Sequence, residues 1–130
     1  MNTALIIAGG IGGRMHHDIP KQFINVNDKP IIIYTLEAFQ KHPEIDNILV
    51  VCLEGWHDIL WAYAKQNNIT KLQWVINGGA SGQESIRNGV YHLEKICQDN
   101  DVVVIHDGIR PLVDDAVLSD VIITCRKYGN

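Results

Sequence analysis

Cysteine is scarce in this 130-residue chain and never clustered: Cys52, Cys97 and Cys125 stand far apart in apolar surroundings, with no Cys-x-x-Cys spacing. That excludes a disulfide framework and a zinc site, and implies the packed, reduced thiols of a cytoplasmic protein. Basic charge is also in short supply. Eleven Lys and Arg stand against fifteen Asp and Glu, a net charge of −4, so no broad basic face for nucleic acid is implied. No apolar run approaches the ~18 residues needed to span a membrane. The N-terminus carries no basic region leading into an apolar segment and a small-residue cleavage site. Repeats, low-complexity tracts and linkers are missing too. What remains is one domain's worth of ordinary composition, 46% hydrophobic and 20% charged. A chain of this size buries about two-thirds of its unfolded surface, and any anion it binds is held locally.

Glycine, by contrast, is concentrated. Thr3 to Ala8 is a continuous apolar run, the pattern of a strand buried on both faces. Directly after it Gly9, Gly10, Gly12 and Gly13 surround Ile11, a sequence that lets backbone N–H groups turn toward an anion with no Cβ in the way. Arg14 adds a forked donor suited to phosphate oxygens, and Lys21 a compact mobile ammonium. A triphosphate is the guest these groups imply. The Walker pattern is excluded, since neither Gly9 nor Gly10 is followed by Gly-Lys-Ser/Thr at the required spacing. The dinucleotide fingerprint is matched only by Gly10-Ile11-Gly12. Its third glycine position holds Met15, and Ile31, Ile32 and Ile33 lie where the acidic residue belongs. Pro20 and Pro30 prevent one continuous helix from opening at the loop. On its glycines alone, a flexible surface loop remains the competing reading.

Further along, Asp28 and Pro30 announce a helix whose apolar residues Ile32, Ile33, Leu36 and Phe39 recur at helical spacing until Pro43. Asn47 to Leu53 reads as a second buried strand. A helix from Trp56 to Gln66 is expected to bury Ile59, Leu60 and Tyr63 and to end at Asn67-Asn68. With nothing basic interleaved, Trp56 and Trp61 read as packing or rim residues. Leu72 to Ile76 is a third strand. Ser81 with Glu84 forms a capping-box signature for a helix with the stripe Ile86, Val90, Leu93 and Cys97, and Ser85 in its first turn. Asp101 to Ile105 gives a fourth strand. A last helix, Asp114 to Lys127, would bury Val117, Leu118, Val121, Ile122 and Cys125. This alternation predicts an α/β domain of three layers over residues 1–130, a parallel sheet with right-handed crossovers and helices on both faces. Ligands then bind beyond the carboxyl ends of the strands, where the loops after strands one, three and four converge.

At that rim, Asp107 is the candidate for holding Mg²⁺ beside a phosphate nest, with a helix cap or a solvated loop aspartate as the plainer readings. Arg110 would grip a phosphate, or pair with Asp107 or Asp114. His106 reads as a core histidine, and His16 and His17 as solvated loop residues without a catalytic role. Ser85 would bond a ribose hydroxyl or cap its own helix.

The ordered motifs AGGIGGRM, PKQF, GGASGQESI and HDGIRPLV resemble the cytidylyltransferases that make CDP-polyols from 2-C-methyl-D-erythritol 4-phosphate or ribitol 5-phosphate, in isoprenoid and in cell-wall or capsule synthesis. The resemblance runs over the whole chain. It implies a Rossmann-like fold of the nucleotide-diphospho-sugar transferase type, and transfer of CMP from CTP to a polyol phosphate with release of pyrophosphate, using Mg²⁺. It also implies a homodimer. By the same resemblance Gly9, Gly10, Ile11, Gly12, Gly13 and Arg14 wrap the CTP phosphates, and Arg14 and Lys21 stabilise charge at the α-phosphate. Ala8, Gly79 and Ser85 contact base and ribose; Asp107 lies near ribose, metal and acceptor, and Arg110 on the acceptor side. The chain departs from the pattern in two ways. Ala80-Ser81-Gly82 stands where many relatives carry an arginine, and Asn130 follows only one expected helix after Asp107. The resemblance therefore predicts an incomplete C-terminus, with the dimerisation arm, most polyol contacts and a further acidic residue lying beyond. A sugar-phosphate nucleotidyltransferase using UTP or GTP, and an inactive nucleotide-binding fragment, are the alternatives.

Overall fold

A computed structural model of the chain describes residues 1–8, 19–96 and 101–108. In chain order the elements are β1 (Asn2–Ala8), a 3₁₀ turn (Lys21–Phe23), β2 (Asn25–Val26), β3 (Lys29–Pro30), α1 (Ile31–Lys41), β4 (Asn47–Cys52), α2 (His57–Gln66), β5 (Leu72–Asn77), α3 (Gly82–Glu94) and β6 (Val102–Asp107). Four strands form one sheet in the order β5-β4-β1-β6, parallel throughout. The apolar runs explain the order. Ala4, Leu5 and Ile6 of β1 and Ile48 to Cys52 of β4 are wholly buried, so these two strands take the centre, where both faces are covered.

Alternation along the strands divides the core. Ala4, Ile6, Ile48 and Val50 face Leu36 and Phe39 of α1 and Leu60 and Ala64 of α2, whereas Leu5, Leu49 and Val51 face Leu93 of α3. The expected layers of helix, sheet and helix are present, and β6 runs two residues beyond the expected Ile105, taking His106 and Asp107 into the ladder. Among the described residues no helix is long and apolar enough to cross a membrane. Cys97 and the expected helix over 114–127 lie outside the described residues.

Three local expectations need correction. Ile59 is 38% exposed, because the buried residues of α2 are Leu60 and Ala64, four apart on one face, and Ile59 turns away from them. Asp28 does not start a helix. It lies with Asn27 in a two-residue hairpin turn between β2 and β3, where both have positive φ, 74° and 53°, as the type I′ geometry requires. α1 begins directly after Pro30, with no side-chain cap. Finally, the fully buried positions of α3 are Ser85, Gly89 and Leu93, while Ile86 and Val90 are half-buried beside them. Asn67-Asn68 does end α2, Asn68 with φ 59°.

Gly89 lets α3 approach β1. A Cβ there would lie 2.5 Å from Leu5 Cδ1 and 3.0 Å from Cδ2, and Leu5 is enclosed on every side. Alanine gains about 1 kcal/mol of helix propensity over glycine, but overpacking a filled core costs about 1–3 kcal/mol. Gly89→Ala should therefore lower the unfolding free energy in chemical denaturation, whereas Gly82→Ala, with nothing within 4 Å of the added carbon, should leave it unchanged or slightly raised.

Burial pushes the Cys52 thiol up from 9.0 to about 12. The folded state holds the proton more tightly than the unfolded chain, so this contribution is complete below pH 9 and declines as the pH rises toward 12. Denaturation across that window should show wild type losing up to about 1.4 kcal/mol per pH unit more than Cys52→Ala. Parallel curves would show that the thiolate is tolerated in the fold.

Candidate functional site

The register brings the strand ends to one rim: Ile7 lies opposite Asp107, Ala8 opposite Cys52, and Cys52 opposite Asn77. Of the candidate residues, Ala8, Lys21, Gly79, Ser85 and Asp107 are described; Gly9, Gly10, Ile11, Gly12, Gly13, Arg14 and Arg110 lie outside the described residues.

Ala8 closes β1 and is buried, and its carbonyl accepts a hydrogen bond from Gln22 Nε2. Lys21 opens the 3₁₀ turn and is exposed, while the next two residues, Gln22 and Phe23, are buried. Phe23 stacks on Trp56 with ring centroids 4.8 Å apart, and Trp56 packs against the core at this end of the sheet, as its reading as a packing or rim residue requires. An exposed cation is thus carried on an anchored turn.

The loop after β5 folds back on the first turn of α3. Gly78 donates to the Cys52 carbonyl at 3.2 Å, and Gly79 N–H donates to Ser85 Oγ at 3.0 Å. A Cβ on Gly79 would collide with Glu84 Cβ, so only glycine allows this approach. Ser81 caps the helix, its Oγ accepting from Glu84 N–H at 3.2 Å. The Glu84 carboxylate reaches Ala80 N–H, at a long 3.5 Å, rather than the amide of Ser81 itself. Ser85 is therefore not the cap of its own helix. Buried to 1% exposure, it shapes the Gly79 loop and still has its hydroxyl hydrogen to donate.

Asp107 ends β6 and is exposed, beside the point where β1 gives way to the glycine sequence. The following Gly108 is buried. Its N–H donates to the Ile7 carbonyl at 2.9 Å, and its carbonyl accepts from Thr35 Oγ1 at 2.9 Å. His106 packs edge-on against Phe39 at 5.2 Å, consistent with a core histidine. Among the described residues no group of three or more His, Cys, Asp or Glu is arranged to hold a metal ion.

Gln22 and Thr35 are the residues that motif reasoning overlooked. Their signal was a polar side chain inside an apolar stripe, Thr35 between Ile33 and Leu36, and Gln22 beside Phe23. Most such groups, when buried, have a hydrogen-bond partner, and these two do.

Comparison with known proteins agrees with the fold. The family described as IspD: 2-C-methyl-D-erythritol 4-phosphate cytidylyltransferase matches residues 2–129. A ribitol-5-phosphate cytidylyltransferase of Lacticaseibacillus paracasei is 58% identical over 130 residues, all of this chain and 56% of that protein. A 2-C-methyl-D-erythritol 4-phosphate cytidylyltransferase of Clostridium tetani is 41% identical over 128 residues, 98% of this chain and 50% of that protein. The crystal structure of the Francisella tularensis 2-C-methyl-D-erythritol 4-phosphate cytidylyltransferase superposes with a TM-score of 0.64 and 30% identity, over 92% of this chain and 50% of that one. The chain thus spans about half the length of the curated relatives it matches.

The Ser85 arrangement has a measurable consequence. Ser85→Ala strips the Gly79 N–H of its partner, and leaving a part-buried donor unpaired costs about 1–3 kcal/mol. Chemical denaturation should register that loss, and Gly79 should exchange its amide hydrogen faster while the β4 amides do not. Unchanged exchange at Gly79 would mean that the loop holds its shape without Ser85.

Proposed function

Since this chain belongs to the IspD family, 2-C-methyl-D-erythritol 4-phosphate cytidylyltransferase, we propose that it is the nucleotide-binding part of an enzyme that transfers CMP from CTP to a polyol phosphate, with ribitol 5-phosphate as the acceptor. The observation that carries the reading is that Ala8 and Asp107 end neighbouring strands of a parallel sheet while Gln22, next to Lys21, bonds the Ala8 carbonyl. The preference for ribitol 5-phosphate rests on the higher identity to the relative of that name, 58% against 41%.

In the proposed reaction an oxygen of the acceptor's phosphate attacks the α-phosphorus of CTP. The bond from that phosphorus to the bridging oxygen breaks, and pyrophosphate leaves with the electron pair. The attacking oxygen is already anionic, so no strong general base is needed; alignment and charge neutralisation carry the catalysis. Lys21, exposed on its anchored turn, neutralises charge growing on the α-phosphate, and Arg14 serves the same purpose. Gly9 to Gly13 cradle the phosphates. Ala8, Gly79 and Ser85 border base and ribose, with Ser85 acting through the loop it shapes as well as by its remaining hydrogen.

Asp107 suits Mg²⁺, which typically takes one or two carboxylates and fills its octahedron with phosphate oxygens and water. Bound there, the ion would neutralise triphosphate charge. Arg110 belongs to the acceptor side. A homodimer and a cytoplasmic setting are part of the same proposal.

CTP with Mg²⁺ should raise the melting temperature more than UTP, GTP or ATP, because a ligand bound only by the folded state stabilises it by mass action. In the full-length protein, pyrophosphate release from CTP should be faster with ribitol 5-phosphate than with 2-C-methyl-D-erythritol 4-phosphate. Lys21→Ala should lower kcat about a hundredfold, the usual loss for one preorganised charge-stabilising donor. Equal melting shifts with all four nucleotides would remove the cytidine assignment. A normal kcat with only a raised KM would make Lys21 a ground-state binder.

A further inference from the structure

We propose that Gln22 and Thr35 are positioning residues for the reaction, two ends of one bracket that sets Lys21 and Asp107 at a fixed spacing across the rim. The proposal rests on the cytidylyl-transfer reading and goes beyond it by assigning a role to two uncharged, buried side chains. Gln22 is 3% and Thr35 0% exposed. Each donates to a backbone carbonyl at or just beyond the end of a different strand.

Gln22 Nε2 holds the Ala8 carbonyl at the last position of β1, and Gln22 follows Lys21 directly. Thr35 Oγ1 holds the Gly108 carbonyl at 2.9 Å, and Gly108 follows Asp107 directly. Gly108 is pressed against β1 as well: its N–H bonds the Ile7 carbonyl at 2.9 Å, and a Cβ on it would meet that oxygen at 3.1 Å and Ala8 Cβ at 3.3 Å. Gln22 thus meets β1 directly at Ala8, and Thr35 is linked to Ile7 of β1 through Gly108.

They also come from a single body. Ile31 N–H donates to the Ile24 carbonyl at 3.0 Å, the Tyr34 hydroxyl donates to the Val26 carbonyl, and Lys29 pairs with Glu37 at 2.8 Å. These bonds tie the 3₁₀ turn, the β2–β3 hairpin and α1 together. The segment from Pro20 to Lys41 thus grips both strand ends at once. A displacement of either end changes the separation of the cation and the carboxylate, and in-line transfer is sensitive to misplacement on the order of 1 Å, worth about a hundredfold in rate.

The test uses the full-length protein with Thr35→Val, which keeps the shape and removes the donor, Thr35→Ser, which keeps the donor, and Gln22→Met. Thr35→Val and Gln22→Met should lower kcat at least tenfold with KM for CTP within threefold of wild type, and Thr35→Ser should restore kcat to within threefold. Because both contacts serve one alignment, the double variant should lose less than the product of the single losses. Independently of activity, the Gly108 amide should exchange at least tenfold faster in Thr35→Val and at the wild-type rate in Thr35→Ser, with β4 amides unaffected. Unchanged Gly108 exchange overturns the bracket whatever the activity, and so does a lowered melting temperature with kcat within threefold of wild type. A wild-type protein that turned over no CTP would end the cytidylyl-transfer reading alone, and Gly108 exchange would still decide the bracket.

Discussion

A strand covered on both faces can leave no backbone group unpaired, and β1 is such a strand. Between β4 and β6 its ladder satisfies the middle. At the amino end the remaining groups are met by plain contacts. Asn2 N–H donates to Asp46 Oδ2 at 2.7 Å, Asp46 N–H returns to the Asn2 carbonyl at 2.8 Å, and the terminal ammonium pairs with Asp101 at 2.8 Å. At the carboxyl end the same requirement is met by Gly108 on the Ile7 carbonyl and Gln22 on the Ala8 carbonyl. Satisfying the backbone of one buried strand thus brings the residues next to Lys21 and Asp107 to it.

The same strand governs the opposite layer. Leu5 projects from β1 into α3, which can approach only because position 89 has no side chain. That close approach sets where α3 begins, and with it the loop that Ser85 and Glu84 hold against the first turn. Packing deep in the sheet and loop geometry at the rim are therefore coupled through one helix. A change at Gly89 would reach the Gly78–Ser81 loop by moving the helix that anchors it, with no contact to a ligand.

Most of the chain's chemistry is modest by design. Phosphoryl transfer to an anionic oxygen, the reaction proposed above, asks for charges at fixed places rather than for perturbed acids and bases. The Cys52 thiol, deep in the core and away from the rim chemistry, is raised by burial. The rim obtains its precision from glycines that permit close approach and from neutral side chains that hold carbonyls.

How much was legible in the sequence follows from the range of each signal. Continuous apolar runs determined the strands, helical spacing the layers, and the ordered motifs the family, because each is written in neighbouring residues. Even so, local spacing misplaced Ile59 by one position on its helix and took Asp28 for a helix start, since a turn with two positive φ values depends on the strands it joins. The backbone contacts of Ser85, Gln22 and Thr35 were beyond its reach. Their partners, Gly79, Ala8 and Gly108, lie 6, 14 and 73 residues away in the chain, and two of the three are backbone carbonyls, which leave no mark in a sequence. Residue identity determined which groups are available at the rim; only the tertiary structure decided which are exposed there and which are buried against backbone partners, because a buried polar side chain takes its meaning from the partner that folding brings to it.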